Sequence, residues 1–233
     1  MNVSRALLID LDDTLYDEAS YVRSGIAAVA QEIARLPGAA PAAVVEAMML
    51  DELTQNGRGK VFDVTLQNLG ISPHPDLIRG LLEAYRDHRP DIALWPGVRE
   101  SLEDLGKDHR LAVVTDGLGV MQRRKVTALG VETLVDVVVY CWDLGWPKPD
   151  PRAYLGAMEQ LASTPELTLV VGDNPVHDMA AARAAGLRSL RVRSGRFGAQ
   201  SFENLPADAE AESFVAALPL IRRLETQSCP TTP

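Results

Sequence analysis

The sequence predicts an α/β protein: a doubly wound parallel sheet with a small all-helical domain inserted after the first strand. Three observations predict it. Short apolar runs, too brief for helices, recur along the chain and run into polar or acidic residues. From Trp95 onward these runs alternate with stretches of helical periodicity, the rhythm of strand, helix, strand. Between the first run and Trp95 the pattern is helical throughout.

Ala6 to Ile9 is the first run, and its length and apolar character read as a strand buried on both faces. It leads straight into Asp10-Leu11-Asp12-Asp13-Thr14-Leu15. Val22, Ile26, Val29, Ile33 and Leu36 then recur at steps of four and three, one face of an amphipathic helix that Pro37-Gly38 stops. A second helix is predicted from Pro41 to about Thr54, closing at Asn56-Gly57, and a third from Val61 to Leu69 with Gly70 after it. The fourth carries Leu77, Ile78, Leu81, Leu82 and Tyr85 and ends before Pro90. Four helices joined by short links make a small bundle, placed to hang over the sheet's carboxyl edge as a cap.

In the second part, Val98 to Leu105 reads as helix and Leu111 to Thr115 as the second strand. Val120 to Leu129 is helical, Val135 to Tyr140 is the third strand, and Pro151 to Leu161 is a helix with Pro in its first turn. Leu167 to Val171 is the fourth strand, Met179 to Ala185 a helix, and Leu187 to Val192 the fifth strand. A last helix is predicted over Ala211 to Leu224. The predicted division is a Rossmann-like core from 1–15 and 91–225, a helical cap from 16–90, and a loose tail from 226–233.

With 233 residues, 46% of them hydrophobic, the chain can bury one α/β core plus an insertion. A formal net charge of −9 argues against a nucleic-acid polymer or an anionic membrane as partner. It also means that an anionic substrate needs local positive charge or a metal ion. Two cysteines, Cys141 and Cys229, cannot form a disulfide framework, which suits the reducing cytoplasm. No apolar segment is long enough for a transmembrane helix. Oligomeric state is not legible.

Polar groups gather at the predicted strand ends: Asp10 and Asp12 after the first, Thr115 after the second, Asp173 after the fourth. Lys148 lies in Pro147-Lys148-Pro149-Asp150-Pro151 after the third. In a doubly wound sheet those ends are neighbours, and ligands bind there. Each residue has a plainer use: Asp as turn or helix cap, Thr at a strand end, Lys in solvent. Two carboxylates two residues apart on an extended chain converge, and they repel unless a cation or a shared proton intervenes.

Asp10-Leu11-Asp12-Asp13-Thr14 resembles the DxDxT signature of the haloacid dehalogenase-like superfamily. Thr115 is similar to its second motif, Lys148 to its third, and Gly172-Asp173-Asn174-Pro175-Val176-His177-Asp178 to its fourth, GDxxxxD. The resemblance covers about residues 5 to 193, and the stretch 16–90 stands where the family carries a helical cap. It implies a phosphatase that hydrolyses a small phosphate ester, a nucleotide or sugar phosphate, with Mg²⁺. Asp10 would then be the nucleophile of an aspartyl-phosphate intermediate and Asp12 the general acid and base. Mg²⁺ would bind Asp10, Asp173 and the carbonyl of Asp12, with Asp178 in support. Thr115 and the amides of Asp116 and Gly117 would hold phosphate oxygens, and Lys148 would offset their charge. Dehalogenases of the family lack the second aspartate of the first motif, so Asp12 favours phosphatase. Asp116 stands where many relatives have Asn and would bring another carboxylate near the phosphate; Asn174 stands where some carry another acid.

Other residues are read as structural. Tyr16, Asp17, Tyr21 and Arg23 serve helix start and packing, Gly57-Arg58-Gly59-Lys60 a solvated link, and Trp142 and Trp146 packing beneath the Lys148 loop. Arg191, Arg193 and Arg196 form a surface face, and His177 has no catalytic role. The competing readings are a receiver-like phospho-Asp module, a phosphate-binding protein without turnover and a 2-haloacid dehalogenase.

Overall fold

The computed structural model describes residues 4–226. The predicted tail from 226 therefore lies, beyond Thr226, outside the described residues, as does Cys229. The chain forms two compact units, one from residues up to Glu18 and from Ala93 onward, the other from Ala19–Ile92.

In the first unit six strands form one sheet: β1 (Ala6–Ile9), β2 (Arg110–Thr115), β3 (Val137–Tyr140), β4 (Thr168–Gly172), β5 (Arg188–Val192) and β6 (Ala209–Ala211). Their order is β3-β2-β1-β4-β5-β6 and all pairs are parallel. The chain winds from β1 outward through β2 and β3, then resumes on the other side of β1 with β4. That reversal places the ligand crevice of an open α/β sheet beside β1 and β4. Ile9 pairs with Val113 on one side and Val171 on the other, so the ends of β2 and β4 lie within two residues of the end of β1.

β1 and β4 are wholly buried, and β2 nearly so, as an all-parallel sheet covered on both faces requires. One layer packs Leu8, Ala112, Val114 and Val170 against Ala153, Tyr154 and Ala157 of α7 (Arg152–Gln160) and Ala181 and Ala182 of α8 (Ala180–Ala184), the labels counting helices in chain order. α5 (Val98–Leu105), α6 (Gly119–Leu129) and α9 (Phe214–Thr226) are further α-helices of this unit. The chain leaves and re-enters this unit at one place, where the Trp95 amide donates to the Leu15 carbonyl at 3.1 Å.

Two expectations fail at the far edge. Ala209–Ala211 is a strand, and the last helix begins at Phe214 rather than Ala211. Three residues without a β-branched side chain carry no strand signal of their own; their conformation comes from pairing with Leu190–Val192 of β5. Arg191 also departs from its predicted surface position, being 3% exposed within β5.

The second unit contains α1 (Glu18–Ala34) from Ala19 on, α2 (Ala42–Asn56), α3 (Val61–Asn68) and α4 (Pro75–Asp87). Val22, Ile26, Val29 and Ile33 of α1 bury against Val45, Met49, Leu66 and Leu81, the stripe their spacing predicts. His74 caps α4, accepting from the Leu77 amide, with Pro75 in the first turn. Tyr21 packs against Tyr85 and His88, a structural use. The Gly57–Lys60 link is exposed.

Candidate active site

Asp10 follows β1 directly and is 7% exposed. Its Oδ2 accepts from the Thr14 hydroxyl at 3.2 Å and its Oδ1 from Lys148 Nζ at 2.7 Å. Lys148, 5% exposed, also donates to Asp178 Oδ1 at 2.7 Å. Tyr154 of α7 gives its hydroxyl to the same Asp178 oxygen at 2.9 Å, and the Asn174 amide reaches Asp178 Oδ2 at 3.1 Å. Asp178 comes so close to the backbone after β4 that a Cβ at Gly172 would collide with its carboxylate, which explains glycine there. Asn174 closes the turn by accepting from the Val176 and His177 amides. His177 itself is exposed.

Carboxylate oxygens of Asp10, Asp173 and Asp178 lie within 4.8 Å of one another. Asp173 Oδ2 is buried and has no hydrogen-bond partner. Burial pushes the Asp173 carboxyl up to about 9, reinforced by the charges of Asp10 and Asp178. Asp10 is pushed up to about 7, again first by burial, with Lys148 pulling the other way. Lys148 is held well above its ordinary value: burial opposes its charge, but Asp10 and Asp178 overcome that. Three convergent carboxylates facing one ammonium leave negative charge in excess, and a bare carboxylate oxygen is an open ligand position. An oxygen-ligated divalent cation suits this donor set.

Asp12 behaves differently. Burial raises its carboxyl, yet the Lys125 ammonium and hydrogen bonds from Lys125, Tyr16 and Gln122 outweigh that and hold it below the usual range. Two carboxylates two residues apart thus have opposite environments. Asp13, the third carboxylate, is a turn residue: its φ is 58°, and its carboxylate accepts from the Glu18 amide at 3.0 Å and the Arg196 amide at 3.3 Å. The turn-and-cap reading is correct for this one aspartate.

Thr115, fully buried, ends β2, and Gly117 has φ 120°, a conformation open to glycine. The Asp116 carboxylate is engaged by the loop that carries Lys148. It accepts from the Lys148 amide at 3.0 Å and the Trp142 indole at 3.2 Å, so it braces the lysine's loop. Trp142 is accordingly 51% exposed instead of packed beneath that loop, whereas Trp146 does pack against the core. Tyr16, read as packing, is fully buried and also donates its hydroxyl to Asp12.

The fold thus brings Asp10, Lys148, Asp173 and Asp178 into one cluster, and ties Asp12 and Thr115 together through the Gln122 amide. Sequence reasoning missed Gln122, Lys125 and Tyr154. For the first two a signal existed: they take i and i+3 positions of the stripe that Val126 and Leu129 continue. Polar residues on a buried helix face need partners.

A family model described as haloacid dehalogenase-like hydrolase matches residues 7–192. The chain belongs to this family. It is a haloacid dehalogenase-like enzyme of the phosphatase kind. Among relatives, it is 29% identical over 210 residues to a glyceraldehyde 3-phosphate phosphatase of Methanopyrus kandleri, covering 83% of this chain and 85% of the relative. It is 30% identical over 226 residues to a phosphoglycolate phosphatase of Nitrosospira multiformis, covering 94% and 96%. A solved 2-haloacid dehalogenase of Pseudomonas syringae superposes with TM-score 0.66 at 24% identity, covering 95% and 99%. At that identity the likeness concerns the fold. Among the described residues no helix is long and apolar enough to cross a membrane.

Proposed function

We propose that this haloacid dehalogenase-like chain is a Mg²⁺-dependent phosphomonoester hydrolase working through an aspartyl-phosphate on Asp10. The observation that carries the reading is the contrast at the end of β1. Asp10 is buried and oriented by Thr14 and Lys148, while Asp12, two residues on and partly exposed, is oriented by the separate donors Lys125 and Gln122. A halide leaves without a proton; an alkoxide needs one, and Asp12 is placed to give it.

Asp10 attacks phosphorus, and the Thr14 and Lys148 contacts, one on each oxygen, hold its carboxylate in a single orientation. The ester bond breaks as the Asp10–phosphorus bond forms, and the proton of Asp12 passes to the departing oxygen. The approach of a phosphate dianion favours that protonated form by its charge. Asp12 then takes a proton from water, whose oxygen attacks phosphorus and releases Asp10. Thr115 and the amides of Asp116 and Gly117 hold phosphate oxygens, and Lys148 balances their charge. Asp10, Asp173 and the Asp12 carbonyl are the residues that would hold Mg²⁺, with Asp178 steadying them; when bound, the ion neutralises charge on the transferring group.

The curated relatives named for glyceraldehyde 3-phosphate and phosphoglycolate support a short phosphorylated metabolite as substrate. A phosphate-release screen over triose phosphates, phosphoglycolate, phosphoserine, sugar phosphates and nucleotides, with and without Mg²⁺, tests the reading. Turnover that survives in Asp10→Asn, or chloride release from 2-chloropropionate in place of phosphate release, would overturn it.

A further inference from the structure

Helix α6 presents a buried face that is half apolar and half polar. Gln122, Lys125, Val126 and Leu129 share it, and Gln122 and Lys125 are 2% and 4% exposed. Both polar groups end on Asp12. Lys125 Nζ lies 2.7 Å from Oδ1, and Gln122 Nε2 lies 2.8 Å from Oδ2 and also donates to the Thr115 hydroxyl. Tyr16 adds its hydroxyl to Oδ1.

Stability alone does not call for this arrangement. A buried ion pair is often no better for the fold than an apolar pair of the same volume. The Asp12 side chain is itself 22% exposed, so water could satisfy it. What three donors from two separate elements achieve is a carboxylate whose rotation is fixed on both oxygens. A proton donor and acceptor needs that fixity, since about 1 Å of misplacement can cost about 10²-fold in rate.

We propose that Gln122 and Lys125 are positioning residues for the proton transfers of Asp12, and that Gln122 ties its orientation to the phosphate-holding Thr115. The proposal rests on the acid–base reading of Asp12 above. In the first step the ester oxygen leaves phosphorus with the Asp12 proton as Asp10 bonds to phosphorus. Aryl phosphates such as p-nitrophenyl phosphate have a leaving group stable without a proton, whereas alkyl phosphates do not. The alkyl-to-aryl ratio of kcat/KM therefore reports Asp12 orientation and is blind to losses that affect both substrates alike.

The experiment measures kcat/KM for p-nitrophenyl phosphate and for the best alkyl phosphate of the screen in wild type, Lys125→Met, Gln122→Met and Asp10→Asn. Lys125→Met is expected to lower the alkyl-to-aryl ratio tenfold or more, and Gln122→Met to lower it by a smaller factor in the same direction. Ratios within threefold of wild type, or raised, in both variants overturn the proposal, as does an equal loss on both substrates. Should Lys125→Met fail to fold by circular dichroism, the Gln122→Met ratio decides. Asp10→Asn separates the two levels: if it stays active, the phosphatase reading fails; if it is inactive while the ratios are unmoved, only the positioning role fails.

Discussion

Asp173→Asn should stabilise the metal-free protein and abolish its stabilisation by Mg²⁺. In the folded chain the Asp173 carboxyl is pushed up to about 9 by burial and by Asp10 and Asp178, against an ordinary 3.8. A folded state with the higher value binds a proton that the unfolded chain has released. Its contribution is thus fully present below pH 3.8 and is lost as pH rises toward 9. Between 3.8 and neutrality lie about three pH units at 1.36 kcal/mol each, about 4 kcal/mol in all. The same excess charge is shared with Asp10, which a neutral Asn at 173 also relieves only in part, so about half that gain is expected. About 2 kcal/mol corresponds to roughly 4–8 °C in Tm for a chain of this size. The assay is thermal unfolding of metal-stripped wild type and Asp173→Asn from pH 5 to 9, with and without MgCl₂. The stabilisation should be small at pH 5 and grow with pH, and wild type alone should gain from Mg²⁺. A variant less stable than wild type at pH 8, or one with an unchanged Mg²⁺ response, would refute the account of Asp173 as an open cation ligand.

Three further outcomes are expected. Asp12→Asn should lose about 10²–10⁴-fold in kcat/KM on alkyl phosphates, the usual worth of a placed acid or base, with a smaller loss on p-nitrophenyl phosphate. Lys148→Met leaves Asp10 and Asp178 without their shared cation, so urea titration in EDTA should show a loss of about 3–5 kcal/mol, part of it recovered with Mg²⁺. Burial pushes the Cys141 thiol up to about 12, so iodoacetamide at pH 8 should spare it in the native protein and modify it in urea, as read by peptide mass spectrometry.

Particular residues show where sequence reasoning reached its limit. Asp12 and Asp13 are adjacent and chemically identical, yet Asp13 turns the chain at φ 58° while Asp12 meets α6. Nothing local separates them; the difference lies in which distant segment packs alongside. Asp116 shows the same limit, since its carboxylate is claimed by a loop thirty-two positions on, at Lys148. Trp142 goes with it, exposed and donating its indole N–H to that carboxylate. Arg191 looked like surface because arginine usually is, but its side chain is enclosed by the Phe197 and Gln200 carbonyls and by Glu210.

Local composition determined the first five strands, the helical stripe of α1 and the acidic ends of β1 and β4, because burial on both faces demands unbroken apolar runs and a helix demands its periodicity. Alternation of strand and helix then left few windings open, so the meeting of those acidic ends was already implied. Only the tertiary structure decided which oxygen each side chain faces. Ionic character, rotation and partner are properties of a carboxylate's surroundings, and those surroundings are assembled from segments far apart along the chain.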